Sequence, residues 1–329
     1  MDHLELTSKS QVLPSMTDSR FMYEPLLGNV ESIDLKIQFL DTIFYNPIWV
    51  SSMTGGTESA KKINRNLAKA CMQFGMGMGL GSCRQLLTDD SRLEDFTVRK
   101  DIGDRPLYTN IGIAQLEQLI ENDSINKISE LIKKLEADGI IIHINPLQEF
   151  AQIEGDLLKH NPIVTIKRLL DSLDNKIIIK EVGQGMGYES LKELLKLPLA
   201  AIEFAAFGGT NFAKLELLRN NNKIEKQFEP IVNLGHTASE MVDFTNKIVY
   251  DIGDRLKCKE IIISGGIKSF LDGYYYTEKI KLPSIYGMAS EFLKYSMGDY
   301  GILEEFVSKH IEGLKMAKAF LRIKNHKSA

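Results

Sequence analysis

The stretch Ile140-Ile141-Ile142-His143-Ile144-Asn145-Pro146-Leu147-Gln148-Glu149 decides how this chain is read. Its first half is a β-branched run with no polar alternation, the pattern of a parallel strand buried on both faces. Pro146 withholds an N–H and stops the ladder. In α/β folds ligands meet the carboxyl ends of strands, so His143, Asn145, Gln148 and Glu149 stand where chemistry is usually done. One polar residue in such a place could simply satisfy loop backbone. Four together argue for a site, because each uncompensated polar group near a core costs roughly 1–3 kcal/mol.

Outward from this strand the same unit recurs. Apolar strand patterns are expected at Ile48–Met53, Met76–Leu80, Leu107–Gly112, the opening stretch, Ile177–Val182, Ala201–Ala205, Glu260–Ser264 and Ile285–Ala289. Helical periodicity follows most of them, for example over Ile113–Gly139, Ile163–Leu173, Ser190–Leu197, Ala238–Leu256 and from about Tyr300 to Ile323. Eight strand and helix alternations predict an α/β fold, a TIM (β/α)8 barrel, over residues 48–323. Residues 1–47 stand outside this rhythm as an N-terminal extension. There Ile33, Leu35, Ile37 and Phe39 alternate and Ile43-Phe44 return, predicting a β-hairpin that serves as lid or plug. The basic tail 324–329 has no core signal and reads as a frayed end.

Composition bounds the partners. With 43% hydrophobic and 26% charged residues the chain is of the soluble globular class. A formal charge of −4 argues against non-specific nucleic-acid binding while allowing a local basic pocket for a small anion. There is no signal-peptide pattern and no apolar run of membrane-span length, so a cytoplasmic protein without membrane association is expected. Cys71, Cys83 and Cys258 lack metal-ligand spacing and read as free thiols.

The strand ends are rich in glycine: Thr54-Gly55-Gly56, Gly208-Gly209-Thr210 and Ser264-Gly265-Gly266. Glycine lets backbone approach a planar or phosphorylated ligand, and successive amides form an anion nest. A phosphate site after the seventh and eighth strands is a common device of this barrel, which singles out Gly265-Gly266 and Ala289-Ser290. Lys180 closes an apolar strand, so its cation must be paired, with Glu181 or Glu203, or must face a ligand such as a reduced flavin ring.

These residues together resemble a known family. Met53-Thr54-Gly55-Gly56-Thr57, Gly81-Ser82-Cys83-Arg84, His143 to Glu149, Lys180-Glu181-Val182-Gly183, Gly208-Gly209-Thr210-Asn211-Phe212-Ala213 and Ser264-Gly265-Gly266-Ile267 look like type 2 isopentenyl diphosphate isomerase, in order and spacing over roughly residues 2–320. The resemblance implies an enzyme that interconverts isopentenyl and dimethylallyl diphosphate with reduced FMN and Mg2+, NADPH being the reductant. FMN would be held by Met53, Thr54, Gly55, Ser82, Asn110, Lys180, Thr210, Gly265, Gly266, Lys268, Ala289 and Ser290. Gln148 and His143 would be catalytic, Glu149 would hold the metal, and His3, Arg84, His143 and Asn145 would grip the diphosphate. A homo-oligomer is also implied.

Three departures from the family pattern carry expectations of their own. An Arg-Lys pair stands in the family a few residues before the histidine that matches His3, whereas this sequence opens Met1-Asp2-His3. Either the start lies upstream, or diphosphate binding is weakened by roughly 3–6 kcal/mol for two lost charge-assisted contacts. Cys83 replaces glutamine, and Lys268 replaces an arginine whose bidentate fork lysine cannot reproduce. Tyr274-Tyr275-Tyr276 is read as core packing. Two further readings stay open at this point: an FMN-dependent oxidoreductase of the 2-hydroxy-acid oxidase type, and a flavin-binding homologue with impaired catalysis.

Overall fold

The computed structural model describes residues 6–7, 9–52, 59–152, 155–156, 158–220 and 223–324. Eight parallel strands close into a barrel: β4 (Ile48–Val50), β5 (Gly77–Gly79), β6 (Leu107–Gly112), β7 (Gly139–Ile144), β8 (Lys176–Glu181), β9 (Ala201–Glu203), β10 (Ile261–Ser264) and β11 (Ser284–Met288), with β11 returning to β4. The opening stretch is β7, and it exchanges long ladders with β6 and β8 on either side. Each strand therefore buries one face toward the barrel axis and the other toward helices, which is why its sequence is apolar throughout.

Those two faces form separate cores. Ile140, Ile142, Ile177 and Ile179 belong to the outer layer that packs under the helices. Trp49, Tyr108, Ile141, Ile178, Ala201, Ile262 and Ile285 fill the barrel interior. The interior cluster also takes in Phe39, Leu40 and Phe44 from a hairpin, β2 (Ile37–Phe39) and β3 (Thr42–Phe44). Leu40 and Asp41 turn it with φ of 50° and 60°, the left-handed pair that a two-residue hairpin requires. Leu40 N–H donates to the Glu260 carboxylate at 2.8 Å, and Lys176 pairs with Asp41 at 2.8 Å. Both contacts lie at the amino ends of strands. The hairpin is thus a plug in the floor, opposite the face where the polar residues emerge.

Several expected elements differ in extent. The region Ile113–Gly139 is two helices, Ile113–Glu121 and Asn126–Lys134, parted by Asp123 at φ 50°. The helix expected from Ala238 to Leu256 ends at Ile252, where Gly253 takes up φ 51°. The last helix runs Tyr300–Phe320 rather than to Ile323, because Leu321–Ile323 is strand β12, antiparallel to β1 (Phe21–Tyr23). Short-range periodicity has no means of seeing a pairing partner three hundred residues away. Tyr274 and Tyr275 are buried against Phe21, and Tyr274 OH donates to Leu321 O at 2.8 Å. Among the described residues no helix is long and apolar enough to cross a membrane.

Candidate functional site

Side chains of a strand alternate, so the interior apolar positions are followed two residues later by another inward set. That set is polar: Ser51 just past β4, Asn110 on β6, His143 on β7, Lys180 on β8, Glu203 on β9 and Ser264 on β10. The registers place His143 beside Lys180 and Lys180 beside Glu203. An apolar floor and a polar layer above it thus follow from a single period of two.

His143 is half-buried, and its Nδ1 lies 2.8 Å from Asn110 Oδ1. Asn110 is oriented by its amide nitrogen, which donates to Leu80 O at 3.1 Å, so its oxygen must accept and Nδ1 must carry the proton. Nε2 has no hydrogen-bond partner among the described residues and lies on the Gly112 side, where a Cβ on that glycine would come within 2.9 Å of it. Burial, aided by the Lys180 charge, lowers the imidazole to a pKa of about 4. It is neutral at pH 7.

Lys180 Nζ donates to Glu181 O at 3.0 Å and lies 3.6 Å from Glu203 Oε1. That oxygen also receives Ser51 Oγ at 2.6 Å and Ser264 Oγ at 3.0 Å. The Glu181 carboxylate accepts three successive amides, from Gly183, Gln184 and Gly185, at 2.6–2.8 Å. This folds the β8 loop tightly against the β9 loop. Gly183 has φ +127°, and a Cβ there would lie 2.0 Å from Thr210 O.

Over this layer opens a cavity of about 410 Å³ lined by Ser51, Ser52, Lys180, the Gly208–Thr210 turn, Ser264 to Lys268 and Gly287 to Glu291. Gly265 has φ +86°, and a Cβ on it would meet Ala206 O at 2.1 Å. The backbone can line the cavity this closely only with glycine there. Ser52 Oγ is buried without a hydrogen-bond partner among the described residues. Of the residues that the family resemblance implies for FMN, Lys180, Thr210, Gly265, Gly266, Lys268, Ala289 and Ser290 line this cavity. Ser82 and Asn110 lie outside its lining, on the β5 and β6 side. Met53, Thr54 and Gly55, like His3, fall outside the described residues.

After β7, Pro146 opens the helix Pro146–Ala151, which turns the remaining polar residues onto one network. Asn145 Nδ2 donates to Gln148 Oε1 at 3.1 Å and to Glu149 Oε1 at 2.9 Å. Glu149 Oε2 accepts the Asp156 N–H at 2.9 Å. Gln148 Nε2 in turn donates to Glu216 Oε1 at 3.1 Å, which also accepts Gln152 Nε2 at 3.1 Å. Asn145 Oδ1 is buried without a partner among the described residues. Arg84 stands at the rim, largely exposed, 3.8 Å from Asp156.

Glu216 was missed by sequence reasoning. It lies three residues after the buried Ala213 on the helix Phe212–Asn220, and a carboxylate on the buried stripe of a helix is the signal that marks it. Among the described residues no group of three or more His, Cys, Asp or Glu side chains could hold a metal by itself. Glu149 is therefore a single carboxylate that would need other ligands to complete a shell.

No family model matches the chain. An isopentenyl-diphosphate delta-isomerase of Rickettsia bellii is 33% identical over 322 residues, spanning 96% of this chain and 90% of the relative. That of Rickettsia prowazekii is 34% identical over the same spans. The chain belongs to the isopentenyl-diphosphate delta-isomerase family.

An isomerase of this family shares its fold with flavoenzymes of low sequence identity. A flavocytochrome b2 mutant with pyruvate bound superposes with TM-score 0.63 at 11% identity, over 91% of this chain and 71% of that one. A mandelate oxidase mutant with a monooxide FMN adduct gives 0.57 at 10% identity, over 93% and 88%. In this isomerase, then, the barrel mouth combines a glycine-lined cavity, a neutral histidine whose Nε2 is unpartnered among the described residues, and two linked amides, Asn145 and Gln148, set between the Glu149 and Glu216 carboxylates.

Proposed function

We propose that this isomerase is the type 2 form, which moves the double bond between isopentenyl and dimethylallyl diphosphate with reduced FMN and Mg2+. NADPH would be the reductant, the cytoplasm the compartment, and a homo-oligomer the assembly. The observation that supports it is the juxtaposition of the glycine-lined cavity with the Asn145–Gln148–Glu149 network across the Lys180 and His143 positions.

The cavity suits FMN on its own features: a lysine at its floor, a buried hydroxyl at Ser52 with no partner among the described residues, and backbone at Gly265 that only glycine allows. Bound there, reduced FMN would supply an electron-rich ring able to stabilise positive charge near the alkene and to exchange a proton. Lys180 would hold the negative charge of the ring. Gly265, Gly266, Lys268, Ala289 and Ser290 would take the phosphate, Lys268 as a point charge rather than a fork. Ser82, Asn110 and Thr210 would complete the cofactor contacts, together with Met53, Thr54 and Gly55.

Gln148 would face the hydrocarbon, with its amide held in one orientation by Asn145 and Glu216. Glu149 would hold Mg2+, which prefers one or two carboxylates and completes its shell with substrate phosphate and water. Neutral His143 offers Nε2, and Asn145 its unpartnered Oδ1, toward the diphosphate end, with Arg84 and His3 adding charge.

Purified protein supplied with FMN, NADPH, Mg2+ and isopentenyl diphosphate should form dimethylallyl diphosphate without net consumption of NADPH after flavin reduction. No turnover with flavin bound and reduced would overturn the proposal. Bleaching of bound FMN by a 2-hydroxy acid under argon would instead favour an oxidase.

A further inference from the structure

Glu203 is fully enclosed, with no exposed surface, at the centre of the polar layer. One oxygen takes both serine hydroxyls and faces Lys180 at 3.6 Å, while Oε2 is buried with no partner among the described residues. A carboxylate held this way is expensive to bury, and an uncharged residue of the same size would be tolerated more readily. Its charge must therefore be accounted for by something other than packing.

Its partners supply the account. Ser51, Ser264 and Lys180 all line the cavity assigned to FMN. The other contact of Lys180 is a neutral carbonyl, Glu181 O, and His143 beside it in register is uncharged at pH 7. The Glu181 carboxylate is occupied by three amides of its own loop. Among the described residues Glu203 is thus the carboxylate within ion-pair distance of the Lys180 ammonium, with Glu181 acting on it at longer range, and it supplies most of the compensation of that cation.

We propose that Glu203 is a positioning residue that fixes Lys180 and, by offsetting its charge, sets how strongly the cavity prefers reduced over oxidised FMN. The proposal rests on the flavin reading above. Flavin reduction adds negative charge to the ring, so an uncompensated ammonium beneath it would favour the reduced form, and a compensated one would hold the two forms closer in affinity.

The test is the midpoint potential of bound FMN, followed by its absorbance during anaerobic reduction. Glu203→Gln keeps the volume and an acceptor for the serine hydroxyls but removes the charge. Its ratio of reduced to oxidised affinity should rise at least about tenfold, equivalent to roughly +30 mV for a two-electron couple, while Glu203→Asp stays near the wild type. An unchanged potential in Glu203→Gln overturns the proposal. Should that variant fail to fold, the Lys180→Gln/Glu203→Gln double variant removes the ion pair as a unit, and because the two charges offset one another its ratio of reduced to oxidised affinity should stay within about threefold of the wild type. A fall of about tenfold or more in that ratio would show that the Lys180 charge is uncompensated in the wild type and overturns the proposal. Wild-type protein that binds no FMN would overturn the functional reading itself, a result seen before any variant is compared.

Discussion

Replacing Glu216 with alanine removes the acceptor that fixes the Gln148 amide. Glu216 is almost wholly buried, and its Oε1 takes both Gln148 Nε2 and Gln152 Nε2. A hydrogen bond to a charged group contributes roughly 1.5–3 kcal/mol. Gln148 is half-buried and water can replace part of that, so the lower figure applies. Loss of about 1.5 kcal/mol of orientation in the transition state corresponds to about tenfold in kcat. The Arg219 contact at 3.0 Å is not expected to add to this, because the guanidinium is 69% exposed and such pairs contribute about 0–1 kcal/mol. The assay is isomerisation of isopentenyl diphosphate by FMN-loaded, reduced protein at saturating Mg2+, with FMN affinity measured alongside. Glu216→Ala should lose about tenfold in kcat at unchanged FMN affinity, and Arg219→Ala should stay within about threefold. A folded Glu216→Ala protein with wild-type kcat would refute the claim that this carboxylate orients Gln148.

Three further outcomes are expected. Glu149→Gln should abolish Mg2+-dependent turnover yet keep bound flavin colour, because the residue belongs to the Asn145 network and does not line the cavity proposed for FMN; loss of flavin would contradict that division. Gly265→Ala forces a side chain into a left-handed position against Ala206 backbone at 2.1 Å, which should lower Tm by on the order of 5 °C and empty the cofactor cavity, as thermal melts and flavin release would show. The third concerns acid. Burial depresses both His143 and His310 to about 4, below the ordinary value of about 6.5. Below pH 6.5 the unfolded chain therefore binds protons that the folded chain refuses, and stability falls as pH drops from 6.5 toward 4. The loss is on the order of 2 kcal/mol per histidine at pH 5, less for the half-buried His143. Urea midpoints should decline from pH 7 to pH 5, and a flat profile would contradict the buried neutral state.

The barrel was legible because β-branched runs such as Ile140–Ile142 and Ile261–Ile263 are too apolar for a sheet with one wet face. The hairpin was legible from the same alternation, although only the packing of Phe39 and Phe44 under Trp49 and Tyr108 distinguishes a plug from a lid. Asn110 and His143 were singled out separately at strand ends, and their hydrogen bond came only with the register of β6 and β7. Glu203 was visible only as one of two possible partners for Lys180, since nothing local tells which carboxylate an inward lysine will meet. Glu216 was out of reach for a similar reason: its partner Gln148 lies 68 residues away. The break at Asp123 shows the converse limit, where amphipathic period persists on both sides of a turn and conceals it.

The pairing of Phe21–Tyr23 with Leu321–Ile323, extended by Lys324 N–H to Arg20 O at 2.9 Å, brings distant parts of the chain to one place. A short linker from Lys324 to Arg20, with new ends opened at the exposed Asn122–Asp123 turn, would omit residues 1–19 yet leave every barrel ladder and both cores in place. The order in which the eight units are synthesised would change, while the neighbours each one finds would not.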